Sequence, residues 1–308
     1  MKVVCLAGGV GGAKLAFGLM RVLPPEDLTV VVNTGDDFTH LGLRICPDLD
    51  TVTYTLAGLD NRDTGWGLTG DTFTVLDTVA KLEGPAWFRL GDRDIATHLT
   101  RTELLRQGKR VTEVTARLTR AMGVAATVLP MTDDPFATNV ITDEGDLEFQ
   151  DYFVRRRCEP RVERIVFAGA GTAMPTTEVL KALDAADAII FAPSNPFVSI
   201  EPILILPGVR DLIAAKPAVA VSPIVGGQAI KGPAAKMLLE LGLDVSPVGV
   251  AARYQGLITG FVMDEVDAAL VATVEALGLQ VRTSQSIMRT DADRESLARV
   301  CLDFVSTL

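Results

Sequence analysis

The hydrophobic pattern sets a rhythm at the start of the chain and returns to it after the middle. Residues 2–7 form a continuous β-branched apolar run, as in a strand covered on both faces. Residues 11–23 then place Leu15, Leu19, Val22 and Leu23 on neighbouring faces of a helix, which Pro24-Pro25 ends. Residues 28–33 are a second buried strand, so the chain opens with a β-α-β unit that predicts parallel pairing. The alternation recurs later. Strands are predicted at 164–168, 188–191, 218–221, 260–263 and 279–282, and helices at 176–183, 208–215, 232–241, 265–277 and 293–304. This predicts an α/β, Rossmann-like three-layer fold: an open, mostly parallel sheet with helices on both sides.

The middle reads differently. Residues 71–122 are helix-rich, whereas 125–130, 137–142 and 147–153 read as strands, with a turn at Asp143-Glu144-Gly145-Asp146. The expected organisation is a nucleotide-binding core of residues 1–70 and 160–308. Residues 71–159 would be an inserted, helix-rich region covering the carboxyl edge of the sheet. No internal repeat or low-complexity tract interrupts it.

Composition narrows the class. The 308 residues are 48% hydrophobic and 22% charged, as in a globular protein with a sizeable core. No apolar run approaches the roughly 18 residues that cross a bilayer, and the N-terminal run passes straight into glycines and Lys14. The expectation is a cytoplasmic protein with no membrane partner. A net charge of −10 argues against nucleic acid as a partner. An anionic ligand would need local cations, helix N-termini or a metal. The four cysteines lack CxxC spacing and there are two histidines, so reduced thiols are expected rather than a zinc site.

Four segments carry candidate chemistry, each with a plain structural alternative. The turn Gly8-Gly9-Val10-Gly11-Gly12 follows the first strand, where backbone N–H groups and a helix dipole suit a phosphate. It lacks full GxGxxG spacing, and Ala13 separates Gly12 from Lys14, so it is no P-loop. The alternative is a tight βα turn packed against the sheet. Second, Asn33-Thr34-Gly35-Asp36-Asp37 and Pro47-Asp48-Leu49-Asp50-Thr51 bring four carboxylates to the end of the second strand. They could coordinate Mg²⁺ or supply a general base, or simply cap helices and fill turns. Third, Arg89, Arg93 and Arg101 could receive phosphate oxygens and Trp87 or Phe88 could stack on a ring. Equally, this segment is a solvated helix start, with His98 structural. Fourth, Ser194-Asn195, Gly169-Ala170-Gly171-Thr172 and Ser222-Pro223-Ile224-Val225-Gly226-Gly227 with Lys231 all follow strands, forming an anion-friendly rim or ordinary turns.

These strings resemble one family when read together: Ala7-Gly8-Gly9-Val10-Gly11-Gly12-Ala13-Lys14-Leu15, Asn33-Thr34-Gly35-Asp36-Asp37, Pro47-Asp48-Leu49-Asp50-Thr51-Val52-Thr53-Tyr54, Ala192-Pro193-Ser194-Asn195-Pro196 and Ser222-Pro223-Ile224-Val225-Gly226-Gly227. In this order they resemble, nearly end to end, the 2-phospho-L-lactate transferases of coenzyme F420 biosynthesis. The resemblance implies Mg²⁺-dependent transfer of a phosphorylated three-carbon acid from a guanosine-diphosphate-linked donor, such as lactyl-2-diphospho-5′-guanosine. The acceptor is the terminal ribityl hydroxyl of the deazaflavin Fo, and GMP is released. It implies a homodimer. It places Asp50 and Arg89 at the deazaflavin, with Asp50 catalytic and a metal ligand and Asp37 a second ligand. It places Gly8, Gly9, Gly11, Gly12, Lys14, Ser194, Asn195, Gly226 and Gly227 on the nucleotide.

Val10 and Ala13 stand where archaeal members carry Thr and Pro, which resembles bacterial versions, some using phosphoenolpyruvate- or phosphoglycerate-derived donors. A rival reading is a gluconeogenesis-factor-like regulator that binds a nucleotide sugar and shares the glycine and Asn-Thr-Gly-Asp-Asp segments. An NAD-dependent oxidoreductase is disfavoured, because Asn33-Thr34 replaces the acidic residue that would bind ribose after the second strand.

Overall fold

A computed structural model describes residues 1–308. In chain order the elements are β1 (Val3–Ala7), α1 (Gly9–Val22), β2 (Leu28–Val32), the hairpin of β3 (Phe38–His40) and β4 (Leu43–Ile45), and α2 (Pro47–Leu56). Then come α3 (Thr74–Lys81), α4 (Asp92–Arg106), α5 (Val111–Ala121), β5 (Thr127–Pro130), β6 (Ala137–Thr142), β7 (Gly145–Glu148), β8 (Val162–Ala168), α6 (Thr177–Ala185) and β9 (Ala188–Phe191). The C-terminal part holds α7 (Glu201–Leu204), α8 (Val209–Ala214), β10 (Ala218–Val221), the hairpin of β11 (Ile224–Val225) and β12 (Gln228–Ala229), α9 (Ala234–Glu240) and α10 (Pro247–Arg253). It ends with β13 (Gly260–Met263), α11 (Val271–Glu275), β14 (Gln280–Thr283) and α12 (Asp291–Val305).

Seven strands form one sheet in the order β14-β13-β10-β9-β1-β2-β5, and every pairing in it is parallel. Side-chain alternation divides its apolar residues between two cores. Val4, Leu6, Ile189 and Phe191 face one core with residues of α6, α8, α9 and α10; Val3, Cys5, Ala188 and Ile190 face another with α1, α2 and α12. These faces account for the continuous apolar runs that predicted a three-layer α/β fold. Cys5, Cys46 and Cys301 are buried, Cys158 is half-buried, and all four are free. No helix is long and apolar enough to cross a membrane.

Three strand expectations need correction. The strand at 127–130, assigned to the inserted region, is the edge of the main sheet beside β2. The strand at 164–168, assigned to the main sheet, instead pairs antiparallel with β6 in a separate sheet of order β7-β6-β8. A short apolar run does not specify which sheet it joins. Residues 147–153 do not extend as one strand: β7 stops at Glu148 and a helical turn takes over at Asp151–Arg155.

Chain direction reverses beside β1. From β1 the chain passes to β2 and β5 on one side, and later fills β9, β10, β13 and β14 on the other. The loops after β1 and β9 therefore diverge at a topological switch point, where open α/β sheets bind ligands.

Candidate active-site cleft

A cleft of about 570 Å³ opens at that switch point. Its floor is Gly8, Gly9, Val10, Gly11 and Lys14, one wall is Pro193, Ser194 and Asn195, and Asp36, Pro47, Asp48 and Thr51 form another. Loops after β10 and β14 add Pro223, Ser286 and Met288.

The glycines are dictated by how closely the two switch-point loops approach. A Cβ on Gly11 would lie 2.3 Å from the Pro193 carbonyl oxygen, and one on Gly12 2.6 Å from Ser194 Oγ. Gly9 has φ +62°, the left-handed region where glycine carries no penalty. Ser194 Oγ donates to the Gly8 carbonyl at 2.8 Å and accepts the Gly8 N–H at 3.1 Å, welding the loops together. Asn195 Oδ1 accepts from Phe197 N–H at 2.9 Å and caps the turn Pro196–Ile200.

Lys14 lines the cleft and donates to the Met288 carbonyl at 2.9 Å. Burial, then the charges of Arg294 and Lys231, pull its pKa down, against a smaller opposing effect of Asp60.

Helix α2 divides its carboxylates between two environments. Asp48 points at the glycine turn: Oδ1 accepts from Gly9 N–H at 2.7 Å and Oδ2 from Asn33 Nδ2 at 2.9 Å. Asp36 lies beside it, and Asp36 Oδ1 is buried without a hydrogen-bond partner. Burial and then the Asp48 charge push Asp36 well above the ordinary carboxylate range, and burial lifts Asp48 to about 6 despite its two donors.

On the opposite side of α2, Asp50 does not line the cleft. Its carboxylate is bracketed by Arg101, whose Nη1 donates at 3.1 Å and whose Nη2 makes a second, closer bond. His98 Nδ1 lies 3.1 Å from Arg101 Nη1, and His98 Nε2 lies 3.2 Å from Asp94. Tyr54 donates to Asp94 at 2.6 Å. Burial opposes ionisation of Asp94, but His98 and then Tyr54 more than offset this, and its pKa falls below the usual value. All five side chains are buried.

Other expected site residues are spread around this centre. Arg89 lies over the Phe73 ring at 4.3 Å and does not line the cleft. Arg93 donates to the Thr69 carbonyl at 3.0 Å. Asp37 faces a neighbouring hollow and pairs with Arg44 at 3.4 Å; burial lifts it to about 7 even though Arg44 lowers it. Gly226 donates its N–H to Asp267 at 3.0 Å, and with Gly227 turns the β11-β12 hairpin, outside the cleft lining. Gly12 packs beneath the floor against Ala7 and Ser194.

Of the aromatic wall, sequence pattern points to Phe88 but not to Phe149, Phe153 or Trp66. Phe149 and Phe153 stack with centroids 5.5 Å apart and planes 8° from parallel, and both line the cleft with Phe88 and Trp66. Their i,i+4 spacing was the available signal, lost by reading the segment as a strand. No group of three or more Asp, Glu, His or Cys side chains is gathered to hold a metal. Asp36 and Asp48 nonetheless fit a hard cation: two buried, mutually repelling carboxylates, one with a free oxygen.

The profile of the 2-phospho-L-lactate transferase CofD family matches residues 3–306. The chain is 44% identical over 312 residues to a phosphoenolpyruvate transferase of Streptomyces griseus, covering 98% of each chain. It is 40% identical over 298 residues to a 2-phospho-L-lactate transferase of Methanosarcina mazei, covering 97% of this chain and 98% of the relative. A solved UPF0052-family structure from Bacillus halodurans has a TM-score of 0.65 at 15% identity, covering 98% of this chain and all of that one. That likeness bears on the fold alone. With a cleft at the switch point and a family match across nearly its whole length, this chain belongs to the CofD family of 2-phospho-L-lactate transferases.

Proposed function

We propose that this chain transfers a phosphorylated three-carbon acid from a guanosine-diphosphate-linked donor to the ribityl hydroxyl of the deazaflavin Fo in coenzyme F420 biosynthesis. It would release GMP and work with Mg²⁺, as a cytoplasmic homodimer. The observation that carries the reading is one cleft holding three kinds of wall: an anion-binding helix N-terminus with Lys14, a buried carboxylate pair, and an aromatic platform.

The first-turn N–H groups of α1 beyond Gly9 have no intrahelical acceptor and, with Lys14, suit the donor's diphosphate. Phe149, Phe153, Phe88 and Trp66 suit the planar deazaflavin. The acceptor oxygen forms a bond to the phosphorus bearing the acid as its hydroxyl proton passes to water, the bond from that phosphorus to the bridging oxygen breaks, and GMP leaves with that oxygen. Lys14 and the helix N-terminus stabilise the charge that develops on it. Asp36 and Asp48 would hold Mg²⁺, which when bound would supply Lewis-acid stabilisation of the phosphoryl oxygens. Asp50, enclosed by Arg101, acts at one remove by positioning α2.

Two relatives named for different acids, phosphoenolpyruvate and 2-phospholactate, resemble this chain at 44% and 40% identity, so the acid is to be read from the product. The test is titration of Fo with protein, followed by its fluorescence, and mass spectrometry of the product from Fo and each guanosine-diphosphate-linked acid. The expected result is a fluorescence change and one acid transferred preferentially. No change with Fo alongside tight binding of a UDP-sugar would favour the regulator reading instead.

A further inference from the structure

The loop after the β11-β12 hairpin reaches back across the cleft mouth. Lys231 lies on it, exposed to solvent, and its Nζ makes a single hydrogen bond, to the Thr64 carbonyl at 3.3 Å. The ammonium occupies a notch created by Gly65, where an added Cβ would lie 2.3 Å from Nζ and 3.6 Å from Val10. Gly65 has φ +79°, so both its backbone and its missing side chain make room for the lysine. The ammonium therefore lies on the side of this notch that neighbours Val10 of the glycine turn.

Lys14 and Lys231 are the two cationic side chains among the residues lining the cleft. They are close enough for the charge of Lys231 to help depress Lys14. Two ammonium groups converging on a glycine turn repel each other unless an anion lies between them. The proposed donor carries a carboxylate in addition to its diphosphate. Lys14 already donates to a carbonyl at the floor, whereas Lys231 holds a long bond to a neutral oxygen that an anion would outcompete.

We propose that Lys231 is a specificity residue that binds the carboxylate of the donor's three-carbon acid, exchanging the Thr64 carbonyl for it. This rests on the transferase reading above. It separates a donor bearing the acid from plain GDP, which lacks the carboxylate.

The test compares GDP with lactyl-2-diphospho-5′-guanosine, by calorimetry and by transfer kinetics, in wild type, Lys231→Met and Lys231→Arg. Methionine keeps most of the stem and removes the charge. The expected result is a tenfold or greater rise in KM for the acid-linked donor in Lys231→Met. GDP affinity should stay within threefold, and Lys231→Arg should recover most of the loss. Gly65→Ala, which fills the notch, should reproduce part of the Lys231→Met effect. Equal losses for GDP and the acid-linked donor, or no change in either, would overturn the role of Lys231. Failure of wild type to bind GDP at all would overturn the transferase reading and this inference with it.

Discussion

The two faces of α2 use the same residue type in opposite ways. On one, Asp50 is neutralised by Arg101, itself backed by His98, Asp94 and Tyr54. On the other, Asp48 and Asp36 share a buried space with no cation against them, and one oxygen lacks any partner. A paired buried carboxylate fixes register between helices and has little capacity left for a ligand. An unpaired couple is costly in isolation and is expected where a ligand will supply the charge. We therefore propose a structural role for Asp50 and a chemical one for Asp48, although the two lie two residues apart.

The sharpest way to break this division is to neutralise each side in turn. Asp48→Asn and Asp36→Asn should lower turnover by roughly 10² to 10³, the scale of losing one transition-state stabilising contact. Their melting temperatures should hold or rise, because a repulsion is relieved. Steady-state kinetics beside calorimetry would check both.

Arg101→Met should act the other way. It strands Asp50 as a buried, unpaired charge and should cost about 3 to 5 kcal/mol of stability. Adding Asp50→Asn should recover much of that loss, a coupling that denaturant titration of the double-mutant cycle would measure.

A third effect is in pH. Asp37 and Asp48 titrate at about 7 and about 6 in the folded chain, against roughly 4 when unfolded. Between about pH 4 and 7 the folded state retains protons that the unfolded chain has lost. Stability of the metal-free protein should therefore fall as pH rises through that window, by about 1.4 kcal/mol per pH unit for each group protonated in the folded state alone, and level off above it. Asp37→Asn should shrink the fall, and melting curves from pH 4 to 8 would show it. The smallest effect concerns the aromatic wall: Phe153→Ala should raise KM for Fo by roughly tenfold, about 1.4 kcal/mol, with kcat nearly unchanged.

Much of this contrast was legible in the sequence, but not its direction. β1, α1 and β2 were readable because a continuous apolar run, a helical spacing and Pro24-Pro25 agree. The glycine turn and Ser194-Asn195 could be placed at strand ends from sequence, and the switch point brings them to one cleft. Asp48 and Asp50 are about 200° apart on a helix, so the sequence does say that they face opposite ways. It does not say which face meets the cleft, because Arg101 joins Asp50 from 51 residues away. For the same reason pattern offers Arg101 as a phosphate ligand, whereas in the fold its guanidinium is paired with Asp50. β8 was misplaced because strand pattern carries no address. The Phe149-Phe153 stack was missed because a helical turn follows a strand without any apolar break.

We propose that Asp36 and Asp48 are the cation-binding carboxylates, with Asp50 committed to Arg101. Mn²⁺, a spectroscopically visible substitute for Mg²⁺, can be titrated by electron paramagnetic resonance in the presence of GDP into wild type, Asp48→Asn and Asp50→Asn, each confirmed folded. Tight Mn²⁺ binding is expected in wild type and Asp50→Asn, with its loss in Asp48→Asn. Retention of binding in Asp48→Asn with loss in Asp50→Asn would contradict it.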